Sequence, residues 1–257
     1  MQVVDDDSKD KTASNGAREA NREAIALLRG CRMGSLAVVD KGVPRIALVT
    51  PAVALDGAPV ILLSRLSAHT RAIDRNPHCA LMLVGPLPNK EQNPQTAPRL
   101  SLVGQATRTD DLCLRTRYLS IHPYAAEYID FDDFGLFRIT VTEARYVGGF
   151  GRAMTLKPDQ LTPEACIVAA FDAASAGLIA TLNSTAVKDI DRIAAMGHVE
   201  ASGWRIVSID PDGIDLAREE TVLRTNFMHR IRDPAQVANE ISRLAAISGR
   251  ARGPVSV

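Results

Sequence analysis

Net charge is the first thing this sequence lacks: thirty lysines and arginines stand against thirty aspartates and glutamates. Nothing in that balance draws the chain to a polyanion, so neither nucleic acid nor a membrane surface is an expected partner. Cysteine is the second. Cys31, Cys79, Cys113 and Cys166 are widely spaced, with no Cys-x-x-Cys pair, which argues against a disulfide framework and a thiolate metal site. In apolar or helical surroundings they are expected to be reduced and buried. The acidic run Asp130, Asp132, Asp133 lacks the ligand spacing of a calcium loop, so no metal is expected. Long apolar runs are scarce too. The first twenty residues are rich in Asp, Lys and Ser, and no later run is read as reaching the roughly 18 apolar residues of a membrane span. The expected compartment is the cytoplasm. Gly-x-Ser-x-Gly and His-Glu-x-x-His are absent, and Gly148-Gly149-Phe150-Gly151 lacks the Lys-Ser/Thr of a phosphate loop.

What is present is enough apolar material for a core, 46% of 257 residues, in one large domain or two ordinary ones. Residues 1–16 are polar enough to predict a disordered tail, and Ala17–Leu28 carries a helical pattern. The period then changes to that of strands: Gly34–Val39 and Val43–Thr50 about the turn Asp40-Lys41-Gly42, then Ala52–Leu55 and Pro59–Ser64. A short helix follows Ser67, and Cys79–Val84, Leu100–Arg108 and Leu136–Val147 complete the strands. The proline-rich Gly85–Pro98 is expected to be an exposed loop, and Asp110–Ile121 a helix ended by His122-Pro123. The aromatics crowded between Tyr118 and Phe137 are read as core.

Strands so closely connected pair antiparallel, which predicts a closed or nearly closed barrel over residues 17–153. Residues 154–163 are expected to form a linker. Residues 164–252 are read as a small α+β domain: helices over Pro163–Leu182, Ala186–Met196 and Pro234–Ile247, and short strands around Asp210-Pro211-Asp212-Gly213. Residues 253–257 are a tail.

Chemistry concentrates at Ser64-Arg65-Leu66-Ser67-Ala68-His69-Thr70-Arg71, between a strand and a short helix. Ser67 is a suitable N-cap, and the free N–H groups of the first helical turn lie beside hydroxyls, Arg65, His69 and Arg71. The corner suits phosphate or carboxylate, or it is a capped helix end with solvated basic side chains. His78 and His122 are read as local hydrogen-bonding groups and His229 as a rim residue.

That stretch, with Asn76-Pro77, Pro98-Arg99-Leu100-Ser101-Leu102-Val103-Gly104 and Gly149-Phe150-Gly151-Arg152-Ala153, resembles the split-barrel proteins related to pyridoxamine-phosphate oxidase, and within them the haem-utilisation branch. Leu182-Asn183, Asp210-Pro211-Asp212-Gly213 and the last helix resemble the small α/β domain of that branch. The resemblance implies an α+β chain, an antiparallel split β-barrel followed by a small α+β domain, working as a homodimer with its cofactor in the cleft between subunits. The implied cofactor is flavin mononucleotide (FMN), or alternatively haem. For FMN the implied site is Arg45, Thr50, Ser64, Ser67, His69 and Arg71. Ala68 and Thr50 stand where the oxidases carry Arg and Lys. For haem an imidazole donor is needed, and the histidines are His69, His78, His122, His198 and His229. The implied activity is an oxidoreductase of flavin or haem metabolism. A cofactor-free regulatory or protein-interaction module on the same fold is the other reading.

Overall fold

The computed structural model describes residues 7–87, 93–149, 152–197 and 202–250. Its elements in chain order are α1 (Asp7–Gly30), β1 (Gly34–Asp40), β2 (Val43–Val49), β3 (Ala52–Val53), β4 (Pro59–Ser64), α2 (Ala68–Arg75), β5 (His78–Val84), β6 (Arg99–Thr109), α3 (Leu112–Ile121), β7 (Phe134–Val147) and β8 (Ala153–Leu156). Then come α4 (Pro158–Leu161), α5 (Ala165–Thr185), α6 (Val187–Ala194), β9 (Arg205–Asp210), β10 (Gly213–Arg218), β11 (Thr221–Asn226) and α7 (Val237–Arg250). The stretch read as a linker therefore holds β8 and α4. The first helix starts well before the Ala17 expected from its apolar pattern.

The first sheet is antiparallel and runs β2-β1-β5-β6-β7-β4-β3, with β8 also on β7. Alternation decides its faces. Leu36 stands opposite both Ala47 and Leu81, and Leu81 opposite Leu102; facing residues share a side of the sheet, and these leucines lie in the core with Leu28 of α1. The β1–β2 turn is tight because Lys41 and Gly42 both take positive φ, 51° and 81°, the geometry that matches strand twist. Gly104 sits at the irregular point of the β6–β7 pairing. A Cβ there would meet the Thr140 carbonyl oxygen at 2.2 Å, so the bend has room only for glycine.

The barrel is split where its ends meet. β2 and β3 are the two ends of the strand order, yet the chain joins them through Thr50 and Pro51, and proline has no N–H for a ladder. The carbonyls freed there are taken by side chains. Tyr118 donates to Thr50 O at 3.0 Å, the His122 Nε2 bonds Pro51 O at 3.0 Å, Arg117 donates to Val53 O at 2.6 Å, and Arg29 donates to Ala54 O and Leu55 O. Helix α3 thus serves as a replacement edge, and its aromatic neighbourhood is core as expected, with Tyr118, Ile121, Ala125 and Leu136 buried together.

The second sheet, β11-β10-β9, packs against α5, α6 and α7 around Phe171, Ile190, Trp204, Ile214 and Ile241. A seam of charge joins it to the barrel. Arg29 and Arg117 come from the barrel side, Asp210, Asp212, Asp215 and Arg224 from the β9–β11 sheet.

Two expectations are corrected. Only Cys79 is buried, its thiol pushed up to about 11 chiefly by burial; Cys31 is half-buried, and Cys113 and Cys166 are exposed because they lie on the open faces of α3 and α5. The stretch Pro158–Thr185 has the length and composition of a membrane span, with a mean hydropathy of 1.8 in its best window. Alanine accounts for this. Ile167, Phe171 and Leu182 pack inward, while Ala169, Ala173, Ala176 and Ala180 line the exposed side.

Candidate functional site

The strand–helix corner assembles part of the expected set. Ser67 has the φ and ψ of an N-cap, −76° and 144°, but its hydroxyl makes no capping bond, so it stays available beside the first turn of α2. His69 is half-buried, and burial lowers its pKa below the ordinary histidine value. Its ring is neutral at neutral pH. The other two residues are engaged. Ser64 Oγ donates to the Asp133 carboxylate and accepts from Leu66 N at 3.1 Å, and Arg71 Nη1 donates to Leu66 O at 2.5 Å.

Arg45 and Thr50 lie elsewhere. Arg45 pairs with Asp40 at 3.6 Å, and Asp40 also takes Arg75 at 2.5 Å, so Arg45 is tied to the C-terminal end of α2. Thr50 Oγ1 lies 2.9 Å from the Tyr118 hydroxyl, which itself donates to Thr50 O, so the threonine hydroxyl donates in return. Burial lifts the Tyr118 phenol above its ordinary range. The corner therefore offers an anion the Ser67 hydroxyl, the exposed Arg65, whose side chain has no hydrogen bond or ion pair among the described residues, and a partly used Arg71, with the Asp133 carboxylate close by.

A second site lies where α1 ends. Between α1, the barrel mouth and β11 is a cleft of about 810 Å³, a volume in the range of small-molecule sites. Leu27, Met33, Val84, Pro86, Pro98 and Leu223 supply apolar walls, and Arg32, Arg152 and Arg224 supply positive charge. The carboxylate of the cleft, Glu23, accepts from Tyr146 Oη at 2.7 Å and from Arg152 Nη2 at 3.0 Å. Burial, with Glu23 adding to it, pushes the Tyr146 phenol up, so it remains a neutral donor. Arg224 is spent on Asp210, bonded at 2.7 and 2.8 Å. Arg32 donates to Asp215 and to Arg29 O, and both Arg32 and Arg152 keep part of their guanidinium exposed, 24% and 48% of the side chain. Apolar walls with two partly free guanidiniums match a flat apolar ring carrying carboxylates, which is the chemistry of haem.

The lining of this cleft contains no histidine among the described residues. His122 is committed, its Nε2 to Pro51 O and its Nδ1 to the Tyr124 hydroxyl at 3.1 Å. His78 and His229 are exposed, His198 lies outside the described residues, and His69 is the half-buried ring with no hydrogen bond among the described residues.

The cleft opens on a bare surface. On the side of the barrel sheet away from the core, Leu48, Ser35, Met82 and Ser101 stand in one row, and Ile46, Ala37, Ala80 and Val103 in the next. Both rows are uncharged across β2, β1, β5 and β6, and on β7 they continue to Arg145 and Glu143. Ile46 is 77% and Leu48 72% exposed, and Val84, which belongs to the same outer face, also lines the cleft. Alternation in the sequence shows that one side of each strand is polar or small; only the register shows that the apolar exceptions meet.

Comparison with known proteins places these features. The CREG beta-barrel family matches residues 17–162. The non-canonical heme oxygenase HOZ, a chloroplastic protein of Arabidopsis thaliana, is 31% identical over 137 residues, 51% of this chain and 41% of that protein, so the chain spans less than half the length of that relative. A protein of unknown function from Agrobacterium tumefaciens superposes with a TM-score of 0.72 at 27% identity, covering 88% of this chain and 94% of that one. A heme binding protein from Mycobacterium smegmatis shares the fold, with a TM-score of 0.52, 24% identity and coverage of 90% and 98%. The chain belongs to the CREG beta-barrel family, on the α+β split-barrel fold of the pyridoxamine-phosphate-oxidase-like and haem-binding proteins.

Proposed function

We propose that this protein is a homodimeric haem-binding split-barrel protein, an oxidoreductase of haem utilisation, and that its haem site is the cleft between α1, the barrel mouth and β11. The observation that carries this reading is the combination in that cleft of apolar walls with Arg32 and Arg152. In it, Leu27, Met33, Val84 and Leu223 cover the ring, and Arg32 and Arg152 hold the carboxylates. Tyr146 keeps Glu23 hydrogen-bonded, so that this carboxylate does not face the ligand uncompensated. The redox chemistry belongs to the haem when bound.

The dimer follows from the uncharged outer face. Apolar rows of this kind on a sheet mark an interaction surface, and because Val84 is shared, a second copy seated there borders the cleft mouth. The cleft's own lining holds no histidine among the described residues, so a haem bound there would need an imidazole from a second copy, and His69, half-buried and without a hydrogen bond among the described residues, would be the residue to supply it. Resemblance to a haem oxygenase over half the chain supports the same direction.

The test is a haemin titration of the purified chain followed in the visible spectrum, with a parallel FMN titration. Saturation at one haem per subunit is expected, with Arg152→Ala weakening binding about tenfold, as loss of one charge-assisted contact does. Arg71→Ala should leave haem affinity unchanged, and His69→Ala should alter the band position more than the affinity. Saturable FMN binding lost in Arg71→Ala would move the site back to the corner. Uptake of neither would favour the cofactor-free interaction module.

A further inference from the structure

A separate cleft lies on the other side of the molecule, between α3 of the barrel and α5 of the second domain, floored by β9, with a volume of about 490 Å³. Its walls follow from helical spacing. Val168, Asp172, Ala176 and Ile179 bring one side of α5 to it, and Leu112, Cys113, Thr116 and Ser120 one side of α3. Neither the haem reading nor the dimer face uses any of these residues.

The polar groups of the cleft divide sharply. Its two arginines are committed: Arg117 donates to Val53 O, Ile209 O and Asp210 at 2.6, 3.2 and 2.8 Å, and Arg138 is paired with Asp56. The hydroxyl protons of Thr116, Ser120 and Ser175 go to carbonyls of their own helices. The Asp111 carboxylate also lines the cleft and, among the described residues, accepts only from the Cys113 and Leu114 N–H groups, so its charge is not neutralised. Two groups have no partner among the described residues. Ser208, on the β9 floor, is 3% exposed and its Oγ has no hydrogen-bond partner among the described residues. Asp172 is exposed on the α5 rim, and no hydrogen bond or ion pair of its side chain occurs among the described residues. The Ser208 oxygen has no exposed surface, so the unpartnered group that faces a ligand is the Asp172 carboxylate.

The geometry points to a second small-molecule site here, for an apolar, ring-bearing amine whose body lies against Leu55, Leu112, Val168 and Ile179 while its ammonium meets the Asp172 carboxylate. The sign of the ligand's charge follows from what is free. With both guanidiniums neutralised inside the protein, the uncompensated charge on the cleft is negative, so an ammonium group is favoured over a carboxylate. This differs from the haem cleft, whose free charge is positive and which selects carboxylates.

Two cysteines make the site measurable. Cys113 lines the cleft and Cys166 does not, and both are exposed. The full chain is alkylated with iodoacetamide and the rate at each cysteine is read by peptide mass spectrometry. The probes are tryptamine, its neutral analogue tryptophol and the anionic indole-3-propionate, which share one ring. Tryptamine is expected to slow alkylation of Cys113 several-fold at saturation without changing Cys166, tryptophol to do so at higher concentration, and indole-3-propionate not at all. Asp172→Asn, a surface change that leaves the fold intact, should move tryptamine toward the tryptophol concentration by about threefold, with Asp111 keeping the rest of the difference. Equal protection by all three probes, protection unaffected by Asp172→Asn, equal slowing at Cys166, or no protection at millimolar tryptamine would each overturn the proposal.

Discussion

Two surfaces of the barrel carry opposite chemistry. The seam toward the second sheet is filled with charge: Asp210 and Arg29 are 0% and 2% exposed, and Asp215 is 2%. The outer face of β2, β1, β5 and β6 carries uncharged rows with Ile46 and Leu48 nearly bare. Ordinary burial rules would exchange them, with charge outside and aliphatic side chains inside. The exchange separates contacts completed within the chain from contacts left open. In the seam every carboxylate has an arginine from a different element, so its hydrogen bonds fix how the barrel meets the second sheet. On the outer face, nothing within the described chain covers the aliphatic rows.

The seam gives the sharpest test of that contrast. Burial alone would raise the Asp210 carboxyl, but Arg224, Arg29 and Arg117 outweigh it and hold the group well below the usual carboxylate range. Asp215 and Asp210 in turn outweigh the burial of Arg224 and keep it charged. Asp210→Asn would leave three guanidiniums facing a neutral amide. Breaking a buried pair by removing one partner costs about 3–5 kcal/mol, and urea denaturation of the variant should show a loss of that size. A loss below about 1 kcal/mol would mean that the seam is wet and that the two regions differ less than their burial suggests.

The expected second effect is on assembly and not on stability. Replacing Ile46 and Leu48 together by lysine puts two like charges on the face proposed for a second copy, and like-charge juxtaposition is an effective way to reject a partner. Sedimentation should show a monomer, with an unchanged unfolding midpoint because both side chains are already in water. Haemin affinity should fall with the dimer, since the cleft mouth borders that face at Val84. A variant that remains dimeric would place the interface elsewhere and leave the bare rows without a role.

How much of this was legible beforehand differs between the regions for a physical reason. Strand alternation, the Lys41-Gly42 turn and the Asn76-Pro77 helix stop are local, and the barrel order follows from short connections, so the split-barrel reading of the sequence agrees with the structure. The corner residues Ser64, Ser67, His69 and Arg71 were also found by local spacing, and they are together. Their hydrogen bonds were not legible, because Asp133 and Tyr118 lie about 70 positions from Ser64 and Thr50. The α1 cleft was missed for the same reason: Arg32, Arg152 and Arg224 meet only after both sheets have formed. Arg152 of the Gly149–Ala153 motif lines this cleft, a placement the motif by itself does not show. The seam carried a visible signal in Asp210-Pro211-Asp212-Gly213, whose two carboxylates in a predicted turn next to apolar strands are too many for a solvated hairpin to need.

The smallest expected effect lies at the border of the seam, at His122. Its ring is 2% exposed, and burial lowers its pKa, with Arg32 lowering and Asp215 and the Pro51 hydrogen bond raising it in part. The unfolded chain therefore binds this proton more tightly than the folded one. Stability from this group is complete above about pH 6.5, the ordinary histidine value, and is lost as pH falls from there toward the folded value, at no more than about 1.4 kcal/mol per pH unit for one proton. Asp210 acts in a different window, since a depressed carboxyl loses its contribution only as pH falls below about 3.9. Urea midpoints at pH 7.5 and 5 should thus differ in the native chain and differ less in His122→Gln, which keeps an N–H donor for the Pro51 carbonyl; His69, also lowered by burial, supplies the remainder, and His69→Gln with His122→Gln should remove it. If His122→Gln keeps the whole slope, the division of the border into a neutral imidazole and a fully ionised interior does not hold.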